Sequence, residues 1–284
     1  MRRLLALLLT ILFLTGCATI CPPPIHQAES TPLPEVIIPG ADAPARDCVI
    51  AQADGNLLLL YDEDGTLYWL DTADLLITTQ DESLLSAEAL AAGQQVSVFF
   101  DGGIRLSYPG FFVEPTKLIV RESSPDLLGL YLNLFDEFWK IDSGINDGIS
   151  VLAFDFRSNP LCQLPPAPPS TPAPYVQPSE SKYALNQAQK NALFYIIESR
   201  LGFEAFESDF ETLLADGYIV KEESGFCHFP GGLLFEIKVE QEDVNGFQFI
   251  LSKWRSSLGT ILTQGHANCT SNVWDYILDP YAIA

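Results

Sequence analysis

Fifteen of the 20 prolines in this chain fall in two stretches, seven between residues 17 and 45 and eight between 160 and 181. Proline lacks a backbone N–H and fixes φ, so neither stretch propagates a helix or a central strand. Both read as semi-rigid spacers. They cut the 284 residues into a leader (1–16), a Pro-rich tether (17–45), a first domain (46–159), a Pro-rich linker (160–181) and a second domain (182–284). With 48% hydrophobic residues, including 18 Phe, 10 Tyr and 4 Trp, each domain has material for a packed core.

The first domain opens with short alternating segments, Cys48 to Ala53, Leu57 to Tyr61, Leu67 to Asp71 and Leu75 to Thr79. Asp54-Gly55, Asp64-Gly65 and Asp101-Gly102-Gly103 sit between apolar runs, where positive φ suits a hairpin. After a short helical piece near Ser86 to Ala91, strands are expected at Gln95 to Phe100, Ile104 to Tyr108 and Lys117 to Val120. The sum is a small antiparallel β-barrel or rolled sheet. Beyond Pro125-Asp126, Leu127, Leu130, Tyr131, Leu134, Phe135 and Phe138 recur at helical spacing, and Ser150 to Phe156 reads as a closing strand.

The second domain starts with a helix over Asn186 to Leu201 and another over Glu207 to Ala215, capped by Ser208 and ended by Gly217. Strands follow at Tyr218 to Lys221, Leu233 to Glu240, Phe247 to Ser252, Gly259 to Leu262 and Trp274 to Leu278. The fold class is therefore α+β: a barrel with an accompanying helix, a Pro-rich linker, and two helices with an antiparallel sheet.

Met1-Arg2-Arg3, an apolar run from Leu4 to Leu14, and then Leu14-Thr15-Gly16-Cys17 match a bacterial lipoprotein signal peptide. The run is shorter than the ~18 residues a membrane span needs. Cleavage before Cys17 is expected to leave that residue as the lipid attachment site, of palmitate type, anchoring an extracytoplasmic protein to the cell membrane, or to the outer membrane in a diderm cell. Loss of Arg2 and Arg3 with no acid takes the net charge from −22 to −24. Such an acid excess repels phosphate backbones and anionic headgroups, so nucleic acid is excluded as a partner.

Cys17 aside, five cysteines are left. An exported chain allows disulfides, and position suggests Cys48 with Cys162 and Cys227 with Cys269, leaving Cys21 single in the tether. Buried reduced thiols are the alternative. Only His228 and His266 fall in the domains, and no nucleophile elbow, zinc-protease helix, phosphate loop or dinucleotide fingerprint is present. Cys227-His228 and His266 with Cys269 supply zinc-type ligands, but adjacent residues of a strand point to opposite faces, so no metal site is assigned. Asp62-Glu63-Asp64-Gly65 reads as a hairpin tip rather than a calcium loop. The acid pairs Asp136-Glu137 and Glu222-Glu223 read as solvated faces, no catalytic residue is assigned and no cofactor is expected. Tyr108, Phe111 and Phe112 surround Pro109-Gly110 and are the candidate ligand contacts, for a peptide, glycan or protein.

Gly93-Gln94-Gln95-Val96-Ser97-Val98, then Asp101-Gly102-Gly103-Ile104 and Ser107-Tyr108-Pro109, resemble uncharacterised domains of Gram-positive lipoproteins. The resemblance covers roughly residues 47 to 121 and implies an OB-like barrel; Gly110-Phe111 stands where such relatives often carry Ala-Gln. Lys253-Trp254-Arg255-Ser256-Ser257-Leu258-Gly259, followed by Cys269 and Trp274-x-Tyr276, is similar to the ends of exported proteins of clostridial type. Neither resemblance implies a catalytic residue. The expectation is a non-catalytic, lipid-anchored envelope protein that binds or scaffolds an envelope component, a protein or a glycan; the alternative is a cell-wall hydrolase using paired carboxylates.

Overall fold

The computed structural model describes residues 37–38, 45–156 and 181–283. Residues 1–16, Cys17, Cys21, Cys162, nearly all of the tether and the linker lie outside the described residues. The described residues form one compact unit. In chain order its strands are β1 (Ile37–Ile38), β2 (Ala45–Asp54), β3 (Leu57–Tyr61), β4 (Leu67–Asp71), β5 (Leu76–Thr79), β6 (Gln94–Arg105) and β7 (Gly110–Ser123). Helix α1 (Leu127–Lys140), β8 (Val151–Asp155), helix α2 (Gln187–Leu201), β9 (Glu204–Glu207) and helix α3 (Phe210–Ala215) follow. The chain ends in β10 (Val220–Lys221), β11 (Cys227–His228), β12 (Gly232–Glu242), β13 (Gly246–Ser256), β14 (Gly259–Thr270), β15 (Val273–Leu278) and β16 (Ala282–Ile283).

The fold is α+β with a closed five-strand barrel. Its ring runs β2-β3-β4-β7-β6 and back to β2, antiparallel at every seam except β4 with β7. The two-residue period of the strands puts Ile50, Leu58, Leu60, Leu70, Val96, Val98, Phe112 and Leu118 inside. Gly55 and Gly65 adopt positive φ in the hairpins. Asp101-Gly102-Gly103 does not turn the chain: it lies inside β6, where the register with β7 shifts between Phe100 and Gly103, a bulge that bends one long strand. The turn comes instead at residues 106–109.

A second sheet has the central order β9-β8-β12-β13-β14, with β15 and β16 on the outer side of β14 and β10-β11 continuing beside the end of β13. Strand pairing crosses the expected boundary here. Strand β8 is not the last strand of the barrel domain; it pairs in parallel with β12 and β9, so the second sheet is mixed rather than antiparallel. Its sequence, Val-Leu-Ala-Phe-Asp, is buried at four of five positions because both of its faces are covered. The helix expected over 207–215 is also corrected. Residues Glu204–Glu207 form β9, and α3 begins at Phe210 with Asp209, not Ser208, accepting from Thr212 N at the cap.

Helices α1 and α2 lie between the barrel wall and the second sheet. Leu128, Tyr131, Phe135 and Phe138 of α1 and Ala188, Ala192, Leu193 and Ile196 of α2 share one core with Leu59, Tyr61 and Leu67 of the barrel's outer wall and with Phe154, Phe235 and Phe249 of the sheet. The opposite face of the sheet holds a smaller core in which Leu213 of α3 meets Ala153, Leu234 and Trp254. The Lys253-Trp254-Arg255 run spans both. Fully buried Lys253 donates Nζ to the carbonyls of Trp139 and Ile141 at the end of α1 and to Asn146 Oδ1, while Arg255 holds the carbonyls of Ile145 and Asp147. On the other face Trp254 meets Phe210 edge-on. Burial lowers the Lys253 ammonium from its ordinary value to about 8.

At Gly65, φ is +81° and a side-chain carbon would meet Asn191 Nδ2 at 2.8 Å, where that amide donates to the Gly65 carbonyl. Gly65→Ala is expected to cost about 1–3 kcal/mol through the disfavoured backbone and the displaced helix contact, measured by urea unfolding. Lys253→Met, which leaves the carbonyls at the end of α1 without their donor, is expected to cost about 2 kcal/mol in the same assay.

Candidate functional site

A cleft of about 410 Å³ opens where the barrel rim meets the starts of α1 and α2. Asp47, Cys48 and Val49 of β2, Tyr61 and Asp62 at the end of β3, Gln95 of β6 and Arg121 of β7 form one wall. Asp126, Asn186 and Gln189 form the other. Both helices start here for local reasons. Asp126 accepts from Gly129 N, and Asn186 and Gln189 form a reciprocal capping box.

Three carboxylates of this cleft, Asp47, Asp62 and Asp126, are committed to the fold, while Glu63, also in its lining, is exposed. Asp62, 3% exposed, accepts from Tyr68 Oη at 2.8 Å and Thr66 N at 2.9 Å and faces Arg46 at 3.4 Å. Asp47 accepts from Ser97 Oγ at 2.6 Å and pairs with Arg121 at 3.0 Å. Burial raises the Asp126 carboxyl, and its hydrogen bond from Gly129 N offsets only part of that rise. Burial also pushes Tyr61 up to about 12, and it pushes Tyr68 up to about 12 with help from Asp62. The Cys48 thiol is raised further by the same cause, with Asp62 adding to it, so it stays protonated and unreactive.

A smaller cleft of about 240 Å³ lies by the β12–β13 hairpin and is lined by Glu242, Asp243, Phe247, Gln248, His266 and Asn268. Among the described residues no group of three or more His, Cys, Asp or Glu is placed to hold a metal ion. No described helix is long and apolar enough to cross a membrane.

The expected cysteine pair Cys227–Cys269 is not formed, and both are free thiols. Cys227 lies beside the Ser256 end of β13 and Cys269 beside its Gly246 end, and ten residues of extended strand hold them apart. The same separation parts His228 from His266. Cys48 is a buried free thiol, and its expected partner Cys162 lies outside the described residues.

Of the aromatic candidates, Phe112 belongs to the core. It is 1% exposed inside the barrel, packed on Tyr68 and Phe100, because β7 alternates and places Phe111 outside. Tyr108, 67% exposed, meets Tyr195 of α2 edge-on at 5.9 Å, and Tyr195 meets Trp69 of β4 at 6.2 Å. Phe111 sits opposite Trp69 in register, with Arg105 over its ring at 5.6 Å. Sequence reasoning missed Trp69 and Tyr195, because one strand and one helix some 125 residues apart join the row only in the folded chain.

Among the acid pairs, Asp136 pairs with Arg200, Glu137 with Lys140, and Glu222 lies 4.0 Å from His228, all on exposed surface. A pair that sequence could not reveal is Asp155 with Glu236, opposite each other on β8 and β12 and each 2% exposed. Ser252 Oγ donates to Glu236 at 2.8 Å, and neither cleft includes these acids.

Comparison with protein-family models, with curated proteins and with solved structures finds no match to this chain.

The tyrosines of this wall set an alkaline limit. A folded pKa raised from 10.0 to about 12 means stability is present in full below pH 10 and is lost as pH climbs towards 12. Lys253 acts oppositely between about 8 and 10.5, where the unfolded chain holds the proton the folded chain has released. The urea midpoint should therefore fall above about pH 10.5, and Tyr68→Phe should flatten that fall.

Proposed function

We propose that this chain is a lipid-anchored, non-catalytic protein of the bacterial cell envelope that binds or scaffolds an envelope component. The observation that carries the reading is the state of Asp47, Asp62 and Asp126 in the cleft at the barrel rim. Asp47, Asp62 and Asp126 are each tied to a guanidinium, a hydroxyl or a backbone N–H. A hydrolase of the two-carboxylate kind needs one acid and one base free to exchange protons with the substrate. These acids shape and charge a cleft instead.

Further support comes from the barrel. The ring β2-β3-β4-β7-β6, with its single parallel seam between β4 and β7, is the strand order of an OB-like barrel, a scaffold for binding chain-like ligands. The Leu14-Thr15-Gly16-Cys17 box, which matches a lipoprotein signal peptide, supports an anchor at Cys17 with a Pro-rich spacer before the first domain.

Full-length protein used as bait in detergent-solubilised envelopes is expected to retain a discrete envelope protein or glycan. Recovery of no partner, together with turnover of peptidoglycan fragments, would overturn the reading. Cys17→Ser is expected to abolish palmitate labelling and move the protein from the membrane pellet to the soluble fraction; unchanged membrane retention would remove the anchor from the proposal.

A further inference from the structure

The surface across β3 and β4, where barrels of this strand order take oligosaccharides and oligonucleotides, is closed in this chain. Leu59 and Tyr61 of β3 are buried against α2, and Asn191 of α2 bonds the Gly65 carbonyl at the β3–β4 hairpin. The helix that covers this wall carries Tyr195 on its outer side. Tyr195 is half-buried and touches Trp69 on the barrel and Tyr108 in the turn between β6 and β7. Loop, strand and helix thus build one aromatic row beside the covered wall, continued by Phe111 and Arg105.

The geometry points to this row, Tyr108–Tyr195–Trp69–Phe111, as a binding ledge for an uncharged glycan chain. This rests on the binding reading above and names its partner class. Tyr108 is the most exposed ring in the row, and it is held in place. Its ring is set at 86° to Tyr195, and the turn beneath it is tied by Ser107 Oγ donating to the Pro109 carbonyl at 2.7 Å. Ordered, solvent-facing rings give large contact area at low entropic cost. Sugar rings offer C–H faces to such aromatics and hydroxyls to the polar groups beside them. Those groups are present: the Glu198 carboxylate is near enough to help raise the Tyr108 phenol, after burial, and Arg105 lies over Phe111.

Charge and size select among occupants. At −22 the chain repels polyanions, which disfavours nucleic acid and anionic wall polymers. Four rings, three of them half-buried, expose far less than the about 800 Å² that a stable protein interface takes from each partner. A narrow polymer fits the row.

The test titrates full-length protein in detergent with N-acetylglucosamine hexamer, read by tryptophan fluorescence, since Trp69 lies in the row, and by calorimetry. Saturable binding is expected, with hyaluronan, a carboxylated glycan, binding at least tenfold more weakly. Tyr108→Ala should weaken the hexamer at least tenfold with an unchanged thermal midpoint, while Tyr108→Phe stays within about threefold because the ring face is kept. Tyr195→Phe should likewise retain binding. Absence of saturable binding to the hexamer, equal binding by Tyr108→Ala, or displacement of the hexamer by a proline-rich peptide would overturn the ledge. Capture of an envelope protein from membranes without hexamer binding would sink the ledge alone and leave the proposed function standing.

Discussion

Helix α1 has half of its fourteen residues buried. It makes one apolar core with α2, the outer wall of the barrel and the inner face of the second sheet. A helix of this length is marginal alone in water, so it exists because both sheets cover it. At about 1.5–3 kcal/mol for each large apolar side chain buried, its contribution is comparable to the whole net stability of an ordinary domain. Both ends are fastened. Asp126 caps the start, and Lys253, reaching from the middle of the second sheet, satisfies the carbonyls at the end.

That shared core explains where the cleft and the aromatic row arise. A barrel of this strand order standing alone would expose the wall formed by Leu59 and Tyr61; here those residues pack on α2. Packing a second layer against the barrel leaves a seam, and the cleft lies at one end of that seam, where the two helix starts meet the rim. The aromatic row lies at the outer side of α2, where its partly exposed residues meet the turn before β7. Site and core are therefore two consequences of one contact.

Much of the fold was legible in local patterns. Strands β2 to β4, both long helices and the two hairpin glycines follow from alternation, helical spacing and positive φ, because these depend on neighbours in sequence. The stretch Leu57–Tyr61, buried at four positions, shows why other features were not legible. Its alternate residues face two different cores, and nothing local says what covers the outer one. Strand β8 was legible as a strand but assigned to the wrong layer, since its parallel partners lie about 50 and 80 residues further along the chain. The candidate site divides in the same manner. Tyr108 and Phe111, singled out as rings flanking a Pro-Gly turn, lie outside the barrel, Phe112 faces its inside by one step of the strand period, and Trp69 and Tyr195 carried no local signal.

By itself the sequence determined the proline punctuation, the acid excess and the pattern of strands and helices, all of which rest on single residues or short periods. Only the tertiary structure decided which sheet owns β8, that Cys227 and Cys269 stand apart along β13, that Lys253 is a helix cap, and that three separate elements make one aromatic row. The physical reason is that burial, thiol pairing and ring contact depend on distances in space. Those distances are set when α1 and α2 close the shared core, not by spacing along the chain.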